Sequence, residues 1–196
     1  MTSLIIFVKN PELGKVKTRL AASVGERKAL EIYHQLLEHT LKTTSTLDVN
    51  KTVFYSEKVE FEDLWNKKNY TKKVQFGNHL GERMLNAFEE VFTREKGPVC
   101  IIGSDCFDIT ADIINQAYEG LKVNDLMVGP SQDGGYYLLG MNDFYPSLFK
   151  NIDWSTEIVR AQTLTIAKSL NLSVGLLPVL NDIDTIDDLK QSGLNY

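Results

Sequence analysis

The sequence offers little from which to build a disulfide framework or a metal cluster. It holds two cysteines and three histidines. Cys100 lies inside an apolar run and Cys106 just after it, with no C-x-x-C pair and no histidine cluster beside them, which speaks against a structural zinc site and suits the reducing cytoplasm. Positive charge is also short. With 21 Lys and Arg against 26 Asp and Glu, the net charge is -5, and a general nucleic-acid binder is excluded because neutralising a phosphate backbone needs a basic face. Long apolar runs are absent: Leu4 to Val8 is broken by Lys9 and Pro11, too short for a signal peptide or a membrane span. There is no internal repeat, low-complexity tract or linker. The 196 residues, 43% hydrophobic, are therefore expected to form one domain, 1–196. His34 and His39 fall within a helical pattern and His79 precedes one; no carboxylate–His–Ser arrangement accompanies them.

What is present is an alternation of short apolar runs with segments of helical period. Strands are expected at Leu4–Val8, Thr52–Tyr55, Val74–Phe76, Val99–Ile102, Leu126–Val128, Tyr136–Leu139 and Leu172–Leu180. Helices are expected at Gly25–Leu47, Val59–Trp65, Leu80–Thr93, Thr110–Leu121 and Thr156–Leu170, with a last one from Ile186. Ala29, Ile32, Tyr33, Leu36, Leu37 and Leu41 share one face of the first long helix, and Met84, Leu85, Phe88, Val91 and Phe92 form the stripe of the third. Such alternation predicts a three-layer α/β/α sandwich on a mostly parallel sheet, and the Gly134-Gly135 turn predicts one strand running against the rest.

The chain is organised around Val99–Ile102, an uncharged run that ends abruptly at Gly103-Ser104-Asp105. It reads as a strand buried on both faces, and in open α/β sheets ligands gather outside the carboxyl ends of such strands. Asp105 would hang there with no partner evident from the sequence, although a lone Asp in this position also reads as a turn or helix cap. After the first strand, Lys9, Gly14, Lys15, Lys17 and Arg19 gather cations and a flexible backbone into a phosphate-binding arrangement. It is not a P-loop, since Lys15 is followed by Val16 and Lys17-Thr18 lacks the glycine spacing. Asp133, Gly134, Gly135, Tyr136 and Tyr137 could bind sugar hydroxyls, or could be an ordinary Asp-Gly hairpin. Near the end, Thr185 is a good N-cap and Asp187 and Asp188 suit a first helical turn. Asp182 and Asp184, stepping along an extended segment towards the same sheet edge, would be costly without a cation, and oxygen ligands of this kind suit Mg²⁺ or Mn²⁺.

The ordered motifs F-V-K-x-P-x-x-G-K-V-K-T-R-L, G-x-x-L-G-E-R-M, I-G-S-D-C, D-G-G-Y-Y-L, W-S-T and D-I-D-T-x-x-D-L, from Leu4 to Leu189, resemble the bacterial glycosyltransferase-like family sometimes called selenodomain-associated transferases. That family belongs with the nucleotide-diphospho-sugar transferases of the GT-A fold. The resemblance implies a metal-dependent transferase. Asp105 and Asp184 would bind the metal, and the Lys15 to Arg19 loop, with Lys9 and Gly14, would hold nucleotide phosphates. Gly81, Glu82 and Arg83 would border the nucleoside, while Asp133, Gly134, Gly135, Tyr136, Trp154, Ser155 and Thr156 would wall the sugar and an unknown small-molecule acceptor. Asp105 and Asp133 would carry the catalysis. Phe107 and Ile186 stand where prolines are usual, and Ser104-Asp105-Cys106 is not a full D-x-D. The same N-terminal loop is also similar to the 2-phospholactate guanylyltransferases, relatives in fold of the molybdenum-cofactor guanylyltransferases. Nucleotidyl transfer is thus the alternative, and a non-catalytic nucleotide-binding module a third.

Overall fold

The computed structural model describes residues 2–66 and 69–196. Seven strands form one sheet: β1 Ser3–Val8, β2 Asn50–Tyr55, β3 Tyr70–Val74, β4 Val99–Ile102, β5 Leu126–Pro130, β6 Tyr136–Met141 and β7 Val174–Leu176. Their order is β3-β2-β1-β4-β6-β5-β7. Only β6 runs against its neighbours, pairing antiparallel with β4 and β5; every other pairing is parallel. The cause is local. Ser131 to Gly135 closes a tight turn that returns the chain directly beside β5, whereas the parallel pairs are joined through long crossovers.

Helices cover both faces. On one, α1 (Thr18–Val24), α2 (Glu26–Ser45), α4 (Ala111–Gly120) and α6 (Ile186–Gln191) pack Leu20, Ile32, Tyr33, Leu36, Ile114, Ala117 and Leu189 against Leu4, Ile6 and Val8. On the other, α3 (Leu80–Arg94), a 3-10 turn at Pro146–Phe149 and α5 (Val159–Ser169) set Met84, Phe88, Leu148 and Ala167 against Ile5, Ile101 and Leu139. Alternate residues of β1 therefore feed opposite cores, and each fully buried Leu, Ile or Phe contributes about 1.5–3 kcal/mol. β4 is buried along its whole length, as its lack of charge requires. No helix among the described residues is long and apolar enough to cross a membrane.

Several expectations fail for identifiable reasons. No helix forms over 59–65, where side-chain hydrogen bonds tie the segment and its flank to other parts of the chain, Lys72 Nζ among them donating to the Glu60 carbonyl at 2.8 Å. Asp63 accepts from the Trp65 N–H at 3.0 Å and from Lys72 Nζ at 2.6 Å, while Asn10 Oδ1 accepts from the Glu57 N–H at 3.0 Å. β3 lies at Tyr70–Val74 rather than Val74–Phe76. As the edge strand it tolerates the polar Thr71-Lys72-Lys73, and the apolar Val74 and Phe76 are exposed instead. β7 has three residues rather than nine, α5 begins at Val159 rather than Thr156, and α1 was not anticipated. Gly25, at φ 84°, separates α1 from α2, and with Leu20 as its one buried residue α1 carries no readable period.

Because every strand except β6 runs in the same direction, the segments 9–17, 56–66, 75–79, 103–110, 131–135 and 177–185 all leave from one edge. β4 sits at its centre.

Candidate functional site

The loops of this edge enclose a cleft of about 750 Å³ lined from every part of the chain. At its centre Gly103 and Ser104 carry the backbone off β4 and present Asp105. The Ile183 N–H donates to the Asp105 carbonyl at 3.0 Å, and Ile183 is buried in the core, so Asp184 is delivered beside Asp105. The α6 capping box fixes it further: Asp188 Oδ2 accepts from the backbone of Asp184 at 3.1 Å and of Thr185 at 2.7 Å.

Lys17 joins the two carboxylates. Its Nζ lies 2.9 Å from Asp105 Oδ1 and 3.0 Å from Asp184 Oδ1. Its side chain is 4% exposed, against 37% and 46% for the two carboxylates. Asp105 thus has a partner that the sequence did not reveal, and the expected repulsion between Asp105 and Asp184 is relieved by an internal cation. Burial works to lower the Lys17 pKa, but Asp105 and Asp184 outweigh it and raise it, so the ammonium stays charged. Lys17 also adopts the left-handed conformation, φ 49° and ψ 44°. That costs a non-glycine residue of order 1 kcal/mol and persists only where the surroundings fix it. Asp182, half-buried, has its carboxyl pushed up to about 7, first by burial and then by Asp105, with Asp133 and Asp184 adding and Lys17 opposing.

Of the other expected residues, Lys9, Arg19, Arg83, Asp133, Gly135, Tyr136, Trp154, Ser155 and Thr156 line the cleft with Asp105, Lys17 and Asp184. Lys9 and Arg19 are exposed, and among the described residues neither side chain is ion-paired. Arg83 donates from Nε to the Gly77 carbonyl at 3.0 Å. Asp133 Oδ1 accepts from Ser131 Oγ and from the Gly135 N–H at 2.9 Å, so it caps its own turn and faces the cleft.

Five residues lie off the cleft lining and serve as supports. Gly14, at φ +75°, sits against Glu26, and Lys15 pairs with Glu12 at 2.8 Å and Glu57 at 3.5 Å on the surface. Glu82 accepts from the Asn78 N–H at 2.7 Å beside the α3 N-cap, His79. A Cβ on Gly81 would stand 2.0 Å from Trp154 Nε1, so the glycine admits Trp154, which stacks on Phe149 at 6.3 Å and 14°. Gly134 brings its turn against Glu157, where a Cβ would lie 1.9 Å from the carbonyl oxygen. Arg160 pins that turn, its backbone N–H donating to Gly134 O at 3.1 Å and Nη1 to Ser131 O at 3.2 Å.

A family described as an uncharacterized protein conserved in bacteria (DUF2064) matches residues 40–156. The chain belongs to this family. A candidate nucleotide-diphospho-sugar transferase from Desulfovibrio desulfuricans is 34% identical, with 96% of this chain and 84% of that one aligned at a TM-score of 0.89. This agrees with the resemblance carried by the six motifs, and the fold is of the nucleotide-diphospho-sugar transferase type. The inositol-1-phosphate CTP transferase of T. maritima shares that fold at 14% identity and a TM-score of 0.63, over 98% of this chain and 91% of that one. So does a Mycobacterium tuberculosis protein in complex with manganese, at 13% identity and 0.58, over 97% and 96%. No curated protein matches the sequence.

Sequence reasoning missed the residues that fasten the site of this DUF2064 chain. Tyr33 was read as core stripe, yet its hydroxyl accepts from the Lys9 N–H at 2.8 Å and lies 3.2 Å from Ser104 Oγ, tying the first loop to the central one. Asn10, 3% exposed, organises 56–60 by donating to the Lys58 carbonyl at 2.9 Å and accepting from the Glu57 N–H. An Asn two residues past an apolar strand and next to Pro11 was the available signal for the second. Tyr33 gave none.

Proposed function

We propose that this chain is a nucleotide-dependent transferase that binds a nucleoside diphosphate-sugar with Mg²⁺ or Mn²⁺ and passes the sugar to a small-molecule acceptor. The observation that carries this reading is the convergence of Asp105 and Asp184 on one positive charge at the carboxyl edge of a mixed sheet. The donor set suits such a metal. Two carboxylate oxygens already share a cationic neighbour, Lys17 Nζ, and Mg²⁺ or Mn²⁺ takes one or two carboxylates together with ligand phosphates. Among the described residues no group of three or more His, Cys, Asp or Glu could hold a metal, so the nucleotide would complete the coordination. When bound, the metal would neutralise the diphosphate and stabilise it as a leaving group.

Lys9 and Arg19, which form no ion pair among the described residues, would bind the phosphates, with Lys17 available once a metal takes over its carboxylates. Arg83, beside the ends of β1 to β3, would border the nucleoside. Asp133, held by Ser131 and Gly135, would accept hydrogen bonds from sugar hydroxyls, and Trp154 would offer a flat apolar face. The manganese complex of the mycobacterial relative supports the metal, and the two buried free cysteines fit a cytoplasmic setting.

Nucleotidyl transfer is the second reading. It is favoured by the fold shared with a CTP transferase and by Lys9, Arg19 and Arg83, enough free cations for a triphosphate. Melting temperature read across nucleoside diphosphates, triphosphates and nucleotide-sugars, each with and without Mn²⁺, separates the two, because a ligand of the native state stabilises it by mass action. Metal-dependent shifts with diphosphates and nucleotide-sugars are expected. Shifts with triphosphates alone would favour nucleotidyl transfer, and none with any nucleotide would remove both transferase readings and the nucleotide-binding module with them.

A further inference from the structure

The cleft is divided by charge. Its cations are Lys9, Lys17, Arg19 and Arg83, contributed by the chain just after β1 and by the start of α3, next to the ends of β1 to β3. β4 lies between these strands and the β6-β5-β7 group. The wall on the latter side comes from 131–137, 154–159 and 182–184. Its carboxylates are Asp133 and Glu157, together with Tyr136, Tyr137 and Trp154 and no cation, while Asp182, drawn towards the neutral form by burial, and Asp184, paired with Lys17, lie where this wall meets the centre of the cleft. Two cations do occur on or near these segments, and both are otherwise placed. Arg160 Nη1 donates to the Ser131 carbonyl, and Lys150 lines a separate hollow behind Trp154 with His79 and Phe149. Lys17, the cation nearest the division, is committed to Asp105 and Asp184.

A wall of this composition repels a phosphomonoester, whose recognition calls for Arg or Lys forks or a run of free amides. It suits a hydroxylated or amine-bearing molecule. Carboxylates accept hydrogen bonds from O–H and N–H groups, and aromatic faces take the apolar side of a sugar ring or attract a cation. We propose that the acceptor is an uncharged or positively charged compound presenting a hydroxyl or amine, and not a phosphomonoester. This rests on the reading of the cleft as a sugar-transfer site. The acceptor oxygen or nitrogen bonds to the anomeric carbon as the bond from that carbon to the diphosphate oxygen breaks. The nucleoside diphosphate leaves with that electron pair, and the acceptor proton passes to a carboxylate of this wall or to water.

Trp154 provides a direct probe, because the only other tryptophan, Trp65, is 1% exposed and its emission is shielded from ionic quenchers. In the nucleotide-free protein, with each quenching constant taken relative to that for free N-acetyltryptophanamide and acrylamide as the neutral reference, caesium should quench Trp154 severalfold more effectively than iodide. Glu157→Lys, a change at an exposed side chain, should reduce or invert that ratio without altering the melting temperature. Iodide quenching equal to or above caesium in the wild type would overturn the proposal. In protein loaded with Mn²⁺ and the nucleoside diphosphate that raises the melting temperature most, myo-inositol 1-phosphate and glycerol 3-phosphate should give no saturable change in Trp154 emission at millimolar concentration. Saturation by either would also overturn it. Failure of every nucleotide to bind would defeat the transferase reading instead, and the quencher ratio would still report the charge of the wall.

Discussion

Lys17 Nζ stands 2.9 Å from Asp105 Oδ1, and the same nitrogen reaches Asp184 Oδ1 at 3.0 Å, so the two candidate metal ligands are already bridged by a cation belonging to the chain. A divalent metal bound there would compete with this ammonium for the same oxygens. Replacing Lys17 with Met keeps most of the buried stem and removes the charge. Removing one partner of a buried pair costs about 3–5 kcal/mol, less where the other partners reach solvent, so a loss of about 1–3 kcal/mol is expected in metal-free protein. Mn²⁺ affinity of the nucleotide-free variant, followed by electron paramagnetic resonance, should rise. Unchanged affinity would mean that metal and lysine do not share the site.

Arg19 lines the cleft without an ion pair, and its replacement by Ala isolates the phosphate contribution. Nucleoside diphosphate binding should weaken by about 1.5–3 kcal/mol, the worth of a hydrogen bond to a charged group, with nucleoside affinity unchanged. Calorimetry with both ligands is the measurement. An equal loss for the two would reassign Arg19 to the base or to packing.

The sheet and its helices were legible because burial leaves a periodic record. Val99–Ile102 had to be a two-sided strand, and the stripes of α2 and α3 fall where the helical repeat puts them. Thr185 was legible as a cap because capping is local. Where the reading failed, the deciding contacts are distant in sequence. The 59–65 segment has an amphipathic look, but Asn10 and Lys72 dismantle the helix from other parts of the chain. The cationic loop could be seen from composition, yet nothing local says that Lys15 turns outward to Glu12 and Glu57 while Lys17 turns inward. That inward turn depends on a left-handed residue and on carboxylates 88 and 167 positions away. For the same reason, glycines read as ligand contacts proved to divide their work: Gly135 faces the cleft, while Gly81 and Gly134 clear space for Trp154 and Glu157.

Asp133 separates turn geometry from chemistry. Its Oδ1 accepts from Ser131 and Gly135, and an Asn oxygen can accept both bonds. Asp133→Asn should keep the wild-type melting temperature and lose sugar transfer while binding the diphosphate normally. Asp133→Ala should lose transfer and also about 1 kcal/mol of stability as the turn loses its cap. Full turnover in the Asn variant would remove the carboxylate from the reaction.

Asp182 gives the site a pH signature in the absence of metal. Its carboxyl is raised to about 7, by burial first and then by the negative charges of Asp105, Asp133 and Asp184 against the pull of Lys17. The unfolded chain titrates near the ordinary value of 3.8, so between roughly pH 4 and 7 the folded state holds a proton that the unfolded state has released. Stability therefore falls as pH rises through that window and is level above it, at about 1.4 kcal/mol for each unit of separation as an upper bound. The direction is opposite to that of a salt-bridged carboxylate, which loses stability as the pH drops. Asp182→Asn mimics the protonated form. With chelator present it should leave the melting temperature unchanged at pH 4 and raise it at pH 8, flattening the profile. If wild type and variant instead run parallel across the range, Asp182 is ionised in the folded protein at neutral pH, and the cluster of Asp105, Asp182 and Asp184 carries more negative charge than Lys17 can balance.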